Sequence, residues 1–277
     1  MLKATGVRLA LPDRGRKPVF GRAPLLEILK GVEFNVAAGA TVGLVGESGS
    51  GKSTLARTLL RLYRPAAGRI TFEGRDITAL PESELRPMRA RMQIIFQDSQ
   101  SALNPRLRIG TALAEPFLSF QRSSTSREAL RLAAGLLERV GLAPEIAERY
   151  PHQLSGGQRQ RVGIARAIAL NPALVVADEI VSGLDVSVQE QILELLRSLK
   201  AETGMALVLI SHDLSVVRAL CEQVVVMQHG RVVEFGRSED VFNRPDHPYT
   251  RKLLRAIPLP EVDPAWIDNV DVEEEAP

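Results

Sequence analysis

Apolar residues fall along this chain in short runs broken by glycine-bearing turns, then in longer stretches of helical spacing, then in short runs again. Thr41-Val42-Gly43-Leu44-Val45 has strand character, and Leu55-Ala56-Arg57-Thr58-Leu59-Leu60 follows as a helix-like run. Ile70-Thr71-Phe72 followed by Glu73-Gly74-Arg75-Asp76 predicts a short hairpin element. Met92-Gln93-Ile94-Ile95-Phe96 predicts a buried strand. From about Ser99 to Leu170 the spacing is mostly helical, with Ala, Leu, Arg and Glu prominent. Leu130, Ala134, Leu137 and Val140 predict one face of a helix over 127–140, with Gly141 and Pro144 as stop signals. Strand character returns over 173–177 and 206–210, with a helix over 188–200 between them, the order of a parallel crossover. Val224–Met227 and Arg231–Glu234 flank a turn at His229-Gly230. The tail is acidic after Glu261 and is expected to fray. No internal repeat or low-complexity tract interrupts this order.

Composition narrows the field. A chain of 277 residues can hold one large α/β domain, or one with an appendage. A net charge of +2 does not point to nucleic acid, and 4% aromatic residues argue against a base-stacking platform. Cys221 is the single cysteine, which excludes an intramolecular disulfide and a Cys-rich metal site and fits a reducing cytoplasm. The N-terminal apolar stretch is too short and interrupted for a signal sequence. No segment approaches the roughly 20 apolar residues of a membrane span, so a soluble chain that docks on other proteins is expected.

Gly46-Glu47-Ser48-Gly49-Ser50-Gly51-Lys52-Ser53-Thr54 lies between the first strand-like and the first helix-like run. It matches the phosphate-loop pattern G-x-x-x-x-G-K-[ST] in the strand–loop–helix context that the pattern requires. Glycines let the backbone turn tightly around an anion with its N–H groups inward. The following helix N-terminus adds positive partial charge. Lys52 has the reach for β- and γ-phosphates, and Ser53 has a hydroxyl for Mg²⁺. A ligand-free glycine turn is the ordinary alternative, but it leaves the lysine, the hydroxyl and the flanking elements without a reason.

Downstream come Gln97 after an apolar run, and Leu154-Ser155-Gly156-Gly157-Gln158 at a helix start. Asp178-Glu179 ends a strand, Ser182-Gly183-Leu184-Asp185 follows it, and His212 comes after the next strand. Taken singly, each has a plain reading: a helix cap for Ser155, a solvated loop start for the two acids, surface side chains for Gln97 and His212. Together and in this order they resemble the nucleotide-binding subunit of ABC transporters, over nearly the whole chain. The resemblance implies an α/β fold: a P-loop NTPase, RecA-like core with an antiparallel β-subdomain and an inserted α-helical subdomain that carries the signature. Residues 1–98 and 171–235 would form the core, 99–170 the helical subdomain, and 236–277 a C-terminal extension with an acidic tail.

The resemblance also implies roles. ATP would lie on residues 46–54. Mg²⁺ would be held by Ser53, Asp178 and the amide oxygen of Gln97, with Glu179 polarising the attacking water and His212 contacting the γ-phosphate. Lys52, Gln97, Glu179 and His212 are thus the catalytic candidates. Residues 154–158 form the signature, a second anion site built from a Ser hydroxyl, two close-approach glycines and a helix N-terminus. It would face the γ-phosphate bound by a partner subunit, in a head-to-tail dimer around two ATP molecules, with residues 182–185 as the D-loop crossing the interface. Three positions depart from the family pattern. Ile180 replaces a usual Pro and loosens the water-positioning geometry. Gly183 replaces a usual Ala. No adenine-stacking aromatic is evident around Ala23, although Phe20 or Arg22 could stack. Glu179→Gln is expected to bind MgATP and turn it over far more slowly, and Ile180→Pro to leave the basal rate unchanged or faster.

Two regions narrow the class. Phe96-Gln97-Asp98-Ser99, with Ser101-Ala102-Leu103-Asn104-Pro105-Arg106, and Asn243-Arg244-Pro245-Asp246-His247-Pro248-Tyr249-Thr250-Arg251-Lys252-Leu253-Leu254 resemble subunits that energise oligopeptide, dipeptide and nickel uptake. His247 and Tyr249 are read as structural. Some relatives carry a cysteine cluster in this extension; no cysteine follows Cys221, so no iron–sulfur cluster is expected. The implied assembly is a bacterial importer at the cytoplasmic face of the inner membrane. Its partners are two membrane permeases, a solute-binding protein and a second ATPase subunit, identical or homologous, with no nucleic acid. The cargo stays open. A soluble ABC ATPase acting on DNA or ribosomes would carry coiled-coil insertions or two cassettes, and neither is present. A module that holds ATP without turnover would have no use for Glu179 and His212.

Overall fold

The computed structural model describes residues 1–13, 21, 23–97 and 102–256. Strands β1 (Leu2–Pro12), β2 (Leu25–Val36), β4 (Ala67–Phe72) and β5 (Arg75–Asp76) form an antiparallel sheet in the order β2-β1-β4-β5. A second sheet takes the order β10-β9-β3-β8-β7-β6, from β3 (Thr41–Val45), β6 (Met92–Ile95), β7 (Leu174–Asp178), β8 (Ala206–Ile210), β9 (Gln223–Gln228) and β10 (Arg231–Arg237). Its ladders are parallel except at the β9–β10 hairpin, which turns at His229-Gly230 as the sequence predicts.

The parallel strands read as unbroken apolar runs because both of their faces are covered. Along β8, Ala206, Val208 and Ile210 join the apolar cluster shared with β1, β2, β4 and helix α1 (Lys52–Leu59), while Leu207 and Leu209 join the cluster on the other face. Leu174 and Val176 of β7 alternate with Val175 and Ala177 in the same way. That second cluster is completed by α3 (Ile109–Ser119), α4 (Ser126–Arg139), α5 (Gly156–Ile168) and α6 (Val186–Thr203). Sheet and helices thus form the predicted α/β arrangement, with the antiparallel sheet on one side and helices on the other.

Helix α4 buries Leu137 and Val140 as its sequence predicts, but not Leu130 or Ala134. Leu130 is 47% exposed, and the buried face is Ala129, Ala133, Leu136 and Leu137, continued by Val140. The small residues at its N-terminal half let α4 lie close to its neighbours there, and Leu136 and Leu137 fill the space further along. Strand β6 is the edge of its sheet, so Gln93 and Ile94 are only half-buried, and Phe96 lies beyond the strand, exposed. Helix α6 begins earlier than predicted, directly after Asp185.

After β10 the chain forms two short helices, α8 (Ser238–Asn243) and α9 (Pro248–Arg255). The acidic tail after Glu261 lies outside the described residues. Helix α7 (Leu214–Leu220) packs along β3, where a Cβ on Gly43 would come within 2.3 Å of Val217 Cγ1 and 3.2 Å of Cys221 Sγ. Burial in this contact pushes the Cys221 thiol up to about 12.

Candidate functional site

The site is built at the carboxyl ends of three adjacent parallel strands, β3, β8 and β7, where open α/β sheets place ligands. The phosphate loop leaves β3. Its first residue, Gly46, has φ 145° and sits where a Cβ would stand 2.2 Å from Met227 O, so only glycine fits. The loop then closes on itself: Ser50 N–H donates to Glu47 O at 3.2 Å, and Gly230 N–H donates to Ser50 O at 2.9 Å. Glu47, Ser48 and Gly49 face solvent, and Gly51 precedes the start of α1. Lys52, 5% exposed, donates its Nζ to Gly46 O at 2.7 Å and to Glu47 O at 2.8 Å. Burial holds its amine below the usual lysine range, against the opposing pull of Glu179, Asp178 and Glu47. Thr54 O accepts from Thr58 Oγ at 2.7 Å, fixing the first turns of the helix.

Across the loop, Ser53 Oγ donates to Asp178 Oδ1 at 2.9 Å. Asp178 is buried, and burial raises its carboxyl above the ordinary range in spite of the Ser53 bond. A hydroxyl, a carboxylate and an amide oxygen are the hard donors that Mg²⁺ takes. Ser53 and Asp178 already stand together, so the donor set fits that ion.

Glu179 occupies the left-handed region at φ 49°. Its N–H donates to Ile210 O at 3.0 Å, and its own carbonyl accepts from Ser182 N–H at 3.2 Å. This brings the carboxylate between two side chains from other strand ends. Gln97 Nε2 donates to Glu179 Oε2 at 2.8 Å, and His212 Nδ1 lies 3.6 Å from the same oxygen. His212 is 62% exposed on its side chain, and a small cavity lined by Glu179, Ser182, Gly183, Gln189 and His212 opens beside it. A carboxylate can only accept, so Gln97 turns its nitrogen to Glu179, and its oxygen is the atom not engaged there. Ile180 is buried in the helix-side apolar cluster, so the usual Pro is replaced here by a side chain with its own packing role.

The signature residues gather elsewhere. Ser155 Oγ accepts from Gln158 N–H at 3.2 Å, and Gln158 Oε1 accepts from Ser155 N–H at 3.0 Å, a reciprocal cap on α5. Leu154 is buried. A Cβ at Gly157 would meet Val188 Cγ1 at 2.8 Å, and one at Gly156 would meet Leu184 Cδ2 at 3.5 Å. Gly157 thus lets the α5 N-terminus approach the start of α6, while Gly156 stands at ordinary contact distance from the Ser182–Asp185 turn. Gly183 has φ 74°, and Gln189 Nε2 donates to Leu184 O at 2.9 Å.

Two features escaped the sequence. Glu234 on β10 accepts N–H groups from Asp246 at 2.9 Å and His247 at 3.1 Å, and His247 Nδ1 accepts from Tyr249 N–H at 3.2 Å, capping α9. His247 is structural, as expected. Tyr249, however, also reaches the phosphate loop: Glu47 N–H donates to its hydroxyl at 2.9 Å. No local pattern signals a contact across 202 residues. Phe20, Arg22 and the segment Asp98–Ser101 lie outside the described residues.

The ABC transporter family model matches residues 29–182, more than half of the chain. The chain belongs to the ABC transporter family. A second match, to the oligopeptide/dipeptide transporter C-terminal region, covers residues 233–276 of this ABC protein. It is 52% identical over 254 residues, 92% of this chain and 71% of the other, to a "Probable peptide ABC transporter ATP-binding protein" of Sinorhizobium fredii. It is 49% identical to the glutathione import ATP-binding protein GsiA of Pectobacterium atrosepticum over 89% of this chain, which is 39% of that longer protein. Among solved structures, the ATP-binding cassette MJ0796, a dimer in a post-hydrolysis state bound to ADP and Pi, superposes with a TM-score of 0.75 at 31% identity. That match covers 86% of this chain and 99% of the cassette. This ABC protein is a nucleotide-binding ATPase cassette.

Proposed function

We propose that this chain is the ATP-hydrolysing subunit of an importer for peptides, working in a pair on the cytoplasmic face of a membrane against two permeases supplied by a solute-binding protein. The observation that carries the ATPase chemistry is the meeting of Gln97 and His212 on Glu179 beside the Ser53–Asp178 pair. The transport class is supported by the match over 233–276 and by the peptide and glutathione importers among the relatives. Their names favour peptides over nickel. Among the described residues no helix is long and apolar enough to cross a membrane, so membrane attachment would run through the permeases.

The residues divide the work as follows. The 46–54 backbone and Lys52 bind the nucleotide phosphates. Ser53, Asp178 and the Gln97 oxygen would hold Mg²⁺, which when bound offsets the charge that develops on the transferred phosphoryl group. Glu179 takes up the proton side of a water aligned with the γ-phosphate, and His212 orients that water from the other side. Leu154, Ser155, Gly156, Gly157 and Gln158 complete the partner's site, with Ser182, Gly183, Leu184 and Asp185 at the seam. Catalysis is positioning and electrostatics with little covalent chemistry. In this reading residues 1–98 and 171–235 act as the core, 99–170 as the arm facing the permease, and 236–277 as an added unit.

The test is an affinity purification of the chain from native membranes in mild detergent, with every co-purifying protein identified. Two multi-span permeases and a solute-binding protein are expected. Recovery of ribosomal or DNA-bound proteins with no membrane protein would keep the ATPase and overturn the transport role.

A further inference from the structure

The C-terminal extension and the phosphate loop are joined by the Glu47 N–H bond to Tyr249 Oη, 2.9 Å long. The phenol is deliberately aimed. Glu234 fastens the segment just before α9 by accepting two successive N–H groups, from Asp246 and His247. Pro248 opens the helix and His247 Nδ1 caps it, leaving Tyr249 in the first turn, 6% exposed. Burial raises the phenol above its usual range, so the group facing the loop is a neutral hydroxyl.

The peptide unit that Tyr249 holds is the informative part. It joins Gly46 to Glu47. Its N–H points to Tyr249, and its carbonyl, Gly46 O, accepts Lys52 Nζ at 2.7 Å. A peptide plane is rigid, so fixing its N–H fixes its carbonyl on the opposite side. Gly46 has no Cβ to restrain that plane, and its φ of 145° is open to few other residues. The next carbonyl, Glu47 O, carries the second Lys52 bond and the Ser50 N–H bond.

We infer that Tyr249 is a positioning residue for nucleotide binding: its hydroxyl pins the Gly46–Glu47 peptide plane, and with it the loop and Lys52, in the geometry presented to a phosphate. The extension is then part of the nucleotide site. This rests on the nucleotide-binding reading of residues 46–54.

The experiment is calorimetric titration of the full chain with MgADP, which occupies the phosphate loop without needing a paired subunit. Tyr249→Phe keeps the ring and deletes the hydroxyl. The expected result is a Kd raised roughly three- to tenfold with unchanged stoichiometry, the scale of one lost hydrogen bond. The Glu47 amide should exchange with solvent faster in the variant. A Kd within twofold of the parent in Tyr249→Phe overturns the inference, even if the unfolding midpoint drops, because the hydroxyl then only fastens the extension. Reduced stoichiometry at unchanged Kd marks partial unfolding and counts against it equally. Absence of MgADP binding in the parent would overturn the nucleotide reading itself, and this inference with it.

Discussion

At the scale of single residues, the site depends on a few side chains held by backbone that would not otherwise adopt these shapes. Glu179 sits at φ 49°, a conformation that costs an L-residue about 1 kcal/mol or more and persists only when its surroundings fix it. The Ile210 carbonyl and the Ser182 N–H do the fixing. Glu179→Gln preserves size and the Gln97 contact but removes the base. Phosphate release should fall at least ~100-fold while nucleotide affinity stays within a few-fold, read by single-turnover kinetics and equilibrium binding. Lys52→Met removes a buried cation whose bonds are all to the loop, and MgADP affinity should fall on the order of 100-fold, the range for hydrogen bonds to charged groups. Retained affinity in that variant would mean that the loop N–H groups suffice alone. These residues were legible in the sequence because a phosphate loop, two acids after an apolar strand and a histidine after the next strand each stand at a strand end. The direction of the Gln97 amide was not, since it is set by a carboxylate 82 positions away.

Secondary-structure elements carry the next layer of argument. The signature glycines are usually thought of in terms of an anion, yet Gly157 is also required by packing: α5 meets α6 there with no room for a methyl group. Gly157→Ala should therefore cost about 1–3 kcal/mol of stability through overpacking against Val188, seen as a lowered unfolding midpoint in the nucleotide-free chain. The anchor of α9 offers a pH test. Although burial pushes the Glu234 carboxyl up, the adjacent Thr250 hydroxyl and the hydrogen bonds from the Asp246 and His247 N–H groups outweigh it and hold the group below the ordinary range. Its contribution is thus fully present above the unfolded carboxylate pKa and is lost as pH falls through the lowered folded value. Glu234→Gln should loosen the extension at neutral pH by about 1 kcal/mol, and the difference from the parent should vanish in strong acid. Hydrogen exchange of the α9 amides measures both. The strand runs over 206–210 and 224–227 were readable because burial on two faces leaves no polar positions. On helix α4, Leu137 and Val140 were read correctly, but Leu130 was read as core by type, whereas at that end the buried positions are Ala129 and Ala133.

In the proposed pairing, the whole molecule supplies half of what its chemistry needs. Residues 154–158 form a capped, glycine-lined helix start whose close contacts are with Leu184 and Val188, while the phosphate loop gathers with Asp178 and Glu179. The Glu179→Gln chain should accordingly double its sedimenting mass on adding MgATP and return to the single-chain value with MgADP, as followed by analytical ultracentrifugation. A mass independent of nucleotide would remove the paired-subunit arrangement. At this scale the sequence was least informative. The order of motifs along the chain identifies the machine, but the bond between Glu47 and Tyr249 arises only once β10 has brought the extension back to the loop.

The burial of Cys221 beside Gly43 has a practical side. Burial that pushes the Cys221 thiol up to about 12 would keep it un-ionised at neutral pH, and only the thiolate reacts with maleimides. The native chain is therefore expected to be silent toward sulfhydryl dyes without any alteration. A cysteine introduced on an exposed helix face away from the site, such as at Arg131 on α4, would take a fluorophore alone. Opening and closing could then be watched by optical distance measurements through a full cycle of turnover.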